Sequence, residues 1–89
     1  MLSRDLTIIN KLGLHARAAA RLVQTASNFS CDITLHTPQR SANAKSIMGI
    51  LMLAAAQGHV ITVQARGEDA DAALDALAGL VAARFGEEA

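Results

Sequence analysis

Two residues able to take part in phosphoryl chemistry lie where a polar, glycine-containing stretch gives way to an alanine-rich one. They are His15 and Arg17, within Asn10–Val23. If a helix begins near Ala16, the backbone N–H groups of its first turn lack intrahelical acceptors and, with the helix dipole, form an anion site. The dipole and the arginine charge both favour the neutral imidazole, whose lone pair makes it a nucleophile.

A phosphoryl group on that ring would place negative charge at a helix N-terminus beside a guanidinium. Phosphoryl transfer depends mainly on positioning and charge stabilisation, so such a site needs few other groups. Plainer interpretations remain open, because a histidine near a helix start is usually a solvated loop residue and a lone arginine is usually surface charge.

The composition narrows the possible partners. The chain has 89 residues, eight basic and eight acidic side chains, and neither Trp nor Tyr. We therefore expect one domain, residues 1–89, that binds neither nucleic acid nor a membrane surface. A single cysteine, Cys31, excludes an internal disulfide, and the longest apolar run, Ile47–Ala56, is too short to span a bilayer. These features favour a cytoplasmic protein.

Hydrophobic periodicity predicts seven elements in the order βαββαβα. Ser46 is the expected N-cap of the second helix and Gly58 its end, while Arg84 and Gly86 are expected to close the third. The predicted strands are Arg4–Asn10, Cys31–Thr37, Arg40–Asn43 and His59–Arg66. The predicted helices are the segment from Ala16 to near Ser27–Asn28, Ser46–Gly58 and the segment Gly67–Gly86. This order favours a two-layer α/β sandwich, with a four-stranded, mainly antiparallel sheet covered on one face by three helices.

Two separated motifs carry a family resemblance. The segments Gly13–Val23, "GLHARAAARLV", and Lys45–Leu53, "KSIMGILML", resemble the active-site and regulatory segments of HPr, the histidine-containing phosphocarrier family of the bacterial phosphoenolpyruvate-dependent phosphotransferase system. The length and element order are similar from end to end. The resemblance implies an open-faced β-sandwich that acts as a phosphoryl carrier and not as an enzyme.

The resemblance also implies roles for individual residues. Enzyme I would phosphorylate the δ1 nitrogen of His15, which would pass the group to an enzyme IIA domain. Arg17 would hold the phosphoryl oxygens, and Ser46 would be the regulatory serine modified by HPr kinase/phosphorylase where that enzyme exists. Two positions depart from the usual pattern, because Ala18 replaces a common Pro and Ala54 a common Gly. The alanine-rich form is similar to members that serve the nitrogen-type branch, so sugar uptake is not assumed.

The predicted second helix is apolar on more than one side, which exceeds what a short helix on a two-layer domain can bury. We therefore expect a docking patch for enzyme I and enzyme IIA beside His15. Its expected members are Ala20, Ile47, Met48 and Leu51. The alternative is that these side chains all belong to the core, which is our expectation for Ile50.

The remaining candidates suggest no further chemistry. His36 and His59 lack partners at metal-ligand spacing, and Cys31 is expected to pack as a small apolar group. We expect no metal, no cofactor and a monomer. Two other classes stay open: a regulatory module phosphorylated only on Ser46, and a small nucleic-acid-binding α/β domain, which the neutral charge disfavours.

Overall fold

The elements follow the predicted order βαββαβα in a computed structural model that describes all 89 residues. A tight turn, Arg84–Gly86, follows the last helix and is called the C-terminal turn below. None of the helices combines the length and the apolar character needed to cross a membrane. The strands are β1 (Leu2–Thr7), β2 (Asp32–His36), β3 (Ser41–Asn43) and β4 (Val60–Arg66), and the helices are α1 (Ala16–Ala26), α2 (Ile47–Leu53) and α3 (Ala70–Ala82).

The four strands form one antiparallel sheet in the order β1-β4-β2-β3. Along β4, Ile61, Val63 and Ala65 are buried while Val60 is half exposed, because successive side chains of a strand point to opposite faces. The three helices lie over the buried face. The predicted two-layer, open-faced sandwich is therefore confirmed.

One apolar core fills the space between the sheet and the helices. Its largest wholly buried side chains include Phe85, Ile8, Leu22, Ile33 and Ile50. The core is rich in alanine, so the helices can approach the sheet closely and a short chain can still pack a continuous interior.

The first predicted strand starts two residues late and extends too far, whereas the first helix ends within about one residue of its predicted end near Ser27–Asn28. β1 ends at Thr7, and although Ile8 still exchanges backbone hydrogen bonds with the segment before β4, the next residues turn toward Asn10, whose side chain is wholly buried. α1 ends at Ala26 because the amides of Asn28 and Phe29 bond to carbonyls three residues back, as in a tightening last turn.

The later two helices also end before the predicted positions. α2 stops at Leu53 with Ala54 in the left-handed conformation, so Gly58 does not end it. The buried Ala55 then accepts a hydrogen bond from the Leu14 amide, which draws the chain away from the helix axis. α3 stops at Ala82, so Arg84 lies in the C-terminal turn and not in the last helical turn.

Candidate functional site

His15 lies immediately before α1, in an extended conformation and without a side-chain cap on the helix. Its carbonyl accepts the first intrahelical bond, from the Ala19 amide, at 2.8 Å. The amides of the first turn precede that bond and are free to face an anion at the helix N-terminus. The imidazole thus lies at the predicted helix start, with 27% of its side chain exposed.

The two ring nitrogens of His15 have different surroundings. Nε2 is hydrogen-bonded to Oε2 of Glu87, whereas Nδ1 has no hydrogen-bond partner. The other carboxylate oxygen of Glu87 accepts a bond from the Asn10 side-chain amide at 2.9 Å, and that amide also donates to the Gly13 carbonyl at 2.9 Å. A network of buried polar groups therefore fixes one edge of the imidazole and leaves the other edge open.

The Glu87 carboxylate is ionised in this network. Burial raises the pKa of Glu87, but hydrogen bonds from Asn10 and His15 and the nearby charges of His15 and Arg17 outweigh burial and leave the pKa below its ordinary value. An ionised carboxylate can only accept hydrogen bonds, so Nε2 carries the proton and donates it. In the neutral ring, Nδ1 is then the nitrogen that holds the free lone pair.

Sequence reasoning missed both Glu87 and Asn10. The sequence analysis took into account only the helix dipole and the Arg17 charge as influences on the imidazole. The structure adds the Glu87 carboxylate, which favours a proton on Nε2. Glu87 is 72 residues from His15 in the chain, and no local spacing links them. The one available signal was Gly86, which was interpreted as a helix end and in fact allows the chain to turn back toward the site.

Arg17 is exposed, on the first turn of α1, and forms neither a hydrogen bond nor an ion pair. Its charge contributes to the lowered pKa of Glu87. The guanidinium is therefore free to bind an anion without first breaking an internal contact.

Ser46 caps α2 as the sequence predicts. Its hydroxyl oxygen accepts a hydrogen bond from the Gly49 amide at 3.1 Å. The same hydroxyl is half-buried at a helix N-terminus, a position that tolerates added negative charge.

The four residues of the expected docking patch differ in their exposure to solvent. Ile47 is 46% exposed and Met48 67%, while Leu51 and Ala20 are half-buried. The prediction that Ile50 belongs to the core is confirmed, because its side chain is wholly buried. α1 and α2 pack side by side, so these apolar side chains lie on the two helices that follow His15 and Ser46.

The other candidates form local contacts. His36 bonds through Nδ1 to the Ser41 hydroxyl at 2.7 Å, and His59 accepts a bond from the Ala56 amide. Cys31 is buried, and burial followed by a hydrogen bond and the negative charge of Asp69 raises the pKa of its thiol. Its thiol is accordingly protonated and packs as the sequence predicts.

Comparison with known proteins identifies the class to which this fold and site belong. The family model described as the PTS HPr component phosphorylation site matches residues 2–83. A curated relative from Xylella fastidiosa, phosphocarrier protein HPr, is 56% identical over 99% of both chains. Phosphocarrier protein NPr from Shewanella violacea is 51% identical over 97% of this chain and 94% of its own length. The class is therefore that of the bacterial histidine-containing phosphocarriers.

The structural comparison agrees. The crystal structure of HPr-C-His from Thermoanaerobacter tengcongensis covers 100% of both chains with a TM-score of 0.95 and 47% sequence identity. A crystal structure of an HPr dimer from the same organism has a TM-score of 0.78 and covers 98% of this chain. This chain belongs to the HPr family, a family of carriers and not of catalysts.

Proposed function

We propose that residues 1–89 form one phosphoryl-carrier domain, which accepts phosphate from phospho-enzyme I on Nδ1 of His15 and donates it to an enzyme IIA domain. The observation that carries this proposal is the unequal state of the two ring nitrogens. Nε2 is held by Glu87, and Nδ1 is unpartnered. A nucleophile needs such a free lone pair at an exposed position.

The surroundings of His15 supply what the transferred group requires. The free amides of the first turn of α1 and the unpaired guanidinium of Arg17 offer hydrogen bonds and positive charge to phosphoryl oxygens. Since phosphoryl transfer depends on positioning and charge stabilisation, these groups suffice for a carrier whose partners provide the rest.

The proposed docking patch consists of Ala20, Ile47, Met48 and Leu51, and enzyme I and enzyme IIA would use it in turn. Unbranched, polarizable Met48 suits a surface that fits more than one partner. Ser46 would be a regulatory site for HPr kinase/phosphorylase, since a phosphate there would introduce roughly −1.5 to −2 charge beside that patch.

The experiment is incubation with enzyme I and labelled phosphoenolpyruvate, followed by acid. Phosphohistidine is acid-labile and phosphoserine is not, so the carrier proposal expects label that acid removes. His15→Ala should take up no label, while His36→Ala and His59→Ala should be labelled normally, because those two rings lie outside the site. Acid-stable label would instead support a module phosphorylated only on serine.

We also propose that the protein acts as a cytoplasmic monomer. The measurement is sedimentation velocity over a range of concentrations, with a single species of the mass of one chain expected. A dimer, as in the Thermoanaerobacter tengcongensis structure, would contradict it.

A further inference from the structure

The C-terminal turn has an unusual backbone. Arg84, Phe85 and Gly86 all have positive φ, at 56°, 55° and 80°. L-residues rarely adopt this conformation, and it persists only where the surrounding structure holds it. Here the Phe85 side chain is wholly buried in the core, and its carbonyl accepts a hydrogen bond from the Arg21 guanidinium of α1.

The consequence of this turn is the position of Glu87. Its side chain is only 9% exposed, and its two oxygens accept bonds from Asn10 and from Nε2 of His15. The Asn10 amide is itself oriented by the Gly13 carbonyl, so the carboxylate is connected to the loop that leads into the site. The adjacent Glu88 is exposed and makes no side-chain bond.

We propose that Glu87 is a positioning residue for phosphoryl transfer: its carboxylate keeps the proton on Nε2 of His15, so that Nδ1 is the nucleophile. This inference rests on the proposed carrier function. A carboxylate that orients a histidine and fixes its tautomer plays the same part in other nucleophilic sites.

The transfer step balances with this assignment. The Nδ1 lone pair forms the bond to phosphorus, while the bond from phosphorus to the donor's leaving atom breaks and its electron pair stays with that atom. The proton remains on Nε2, and the positive charge that develops on the ring is shared with Nε2, against the carboxylate. Transfer to the acceptor reverses each change, so Glu87 neither gains nor loses a proton.

Glu87→Gln tests this proposal, because the network dictates how the new amide must point. The Asn10 amide is a donor toward residue 87, so the Gln carbonyl faces Asn10 and the Gln NH2 group faces Nε2. Nε2 must then accept, and the proton moves to Nδ1, which loses its nucleophilic lone pair. Glu87→Ala removes the constraint without imposing the opposite tautomer.

The first measurement is the tautomer of His15, from the ring ¹⁵N shifts in long-range ¹H–¹⁵N spectra, with His36 and His59 as internal references. We expect the Nε2–H form in the unsubstituted protein, a mixture in Glu87→Ala and mainly the Nδ1–H form in Glu87→Gln. Glu88→Gln is the matched control and should leave the tautomer unchanged.

The second measurement is the rate of labelling by phospho-enzyme I. We expect Glu87→Ala to be about tenfold slower than the unsubstituted protein, Glu87→Gln slower still because it imposes the wrong tautomer, and Glu88→Gln unchanged. The order of the two rates distinguishes the two roles of Glu87. If Glu87 only anchored the end of the chain, the nearly isosteric Glu87→Gln would slow labelling less than Glu87→Ala.

The outcomes separate this inference from the carrier function. If the unsubstituted protein takes no label on His15, the carrier function fails. If it is labelled but both Glu87 variants keep the Nε2–H form, or if Gln is faster than Ala, the positioning role is overturned. Should Glu87→Ala unfold, Glu87→Gln decides alone through its tautomer and its rate.

Discussion

At the scale of single residues, the site depends on the difference between two nitrogens of one ring. Nε2 of His15 is hydrogen-bonded to the Glu87 carboxylate, which itself accepts a bond from the Asn10 amide, whereas Nδ1 has no partner and the nearby Arg17 is unpaired. A phosphoryl group could therefore arrive at Nδ1 without breaking any internal hydrogen bond.

The lowered pKa of Glu87 gives a pH dependence with a defined sign. A carboxyl whose pKa is lower in the folded than in the unfolded state stabilises the fold above its unfolded value, about 4.3, and this contribution is lost as the pH falls through the lower folded value. We expect the ¹³C titration of the Glu87 carboxyl to have a midpoint below the ordinary value of a glutamate. In His15→Ala the midpoint should rise, since a hydrogen bond and a charge are removed. An unchanged midpoint would contradict the contact.

Arg17 should matter for transfer and not for folding. Because its guanidinium has no partner, Arg17→Ala should change the free energy of unfolding by no more than about 0.5 kcal/mol while slowing labelling of His15. Arg17→Lys keeps the charge but loses the planar fork that binds two phosphoryl oxygens, so a partial loss is expected. Arg40→Ala, at another exposed arginine, is the control. Equal labelling rates in all three variants would remove Arg17 from the site.

At the scale of elements, Ser46 has two roles: it caps α2, and it is the proposed site of regulatory phosphorylation. Ser46→Ala removes the bond to the Gly49 amide and should lower the free energy of unfolding by about 1 kcal/mol. Ser46→Asp can still cap and adds favourable charge at the helix start, so the fold should keep its stability. We expect calorimetry to show weaker binding of Ser46→Asp to enzyme I. Undiminished affinity would argue against charge at this position as a regulator.

The exposed side of α2 provides the test of docking. Met48→Glu should leave the unfolding temperature nearly unchanged, because the side chain is already 67% exposed, and should slow transfer by placing charge in an apolar interface. Val60→Glu is a matched control, since Val60 is half exposed on the opposite, uncovered side of the sheet. Stopped-flow labelling of the two variants should separate them. Equal rates would place docking elsewhere.

At the scale of the whole molecule, the sequence predicted the structure correctly where a local hydrophobic pattern determines it. Alternation along β4 predicted that Ile61, Val63 and Ala65 face the core, and the change in composition before Ala16 predicted the start of α1. The predicted end of α2 at Gly58 was wrong, because a tertiary contact decides it: the Ala55 carbonyl accepts a hydrogen bond from the Leu14 amide.

The contact of Glu87 with His15 was beyond local reasoning for the same reason. It depends on a left-handed turn that contains Arg84 and Phe85, two residue types that do not by themselves indicate positive φ. Burial of the aromatic ring in the core and the bond from Arg21 hold that turn, and both belong to the assembled fold.

Substitutions at two glycines, Gly86 and Gly79, test whether the C-terminal turn holds Glu87 in place. A Cβ at Gly86 would lie 2.6 Å from a guanidinium nitrogen of Arg21 and would strain a φ of +80°, so Gly86→Ala should destabilise the fold by about 1 kcal/mol or more. Gly79 lies inside α3 with nothing within 4 Å of the added Cβ, so Gly79→Ala should instead stabilise it by about 0.5–1 kcal/mol.

Chemical denaturation measures both changes, and the ¹⁵N shifts of His15 report whether the site responds. We expect Gly86→Ala to shift the tautomer of His15 toward a mixture, because Arg21 must move and release the Phe85 carbonyl that sets the direction of Glu87. Gly79→Ala should leave the ring unchanged. If Gly86→Ala were as stable as Gly79→Ala, with the same ring shifts, the C-terminal turn would not be what holds Glu87 against the imidazole.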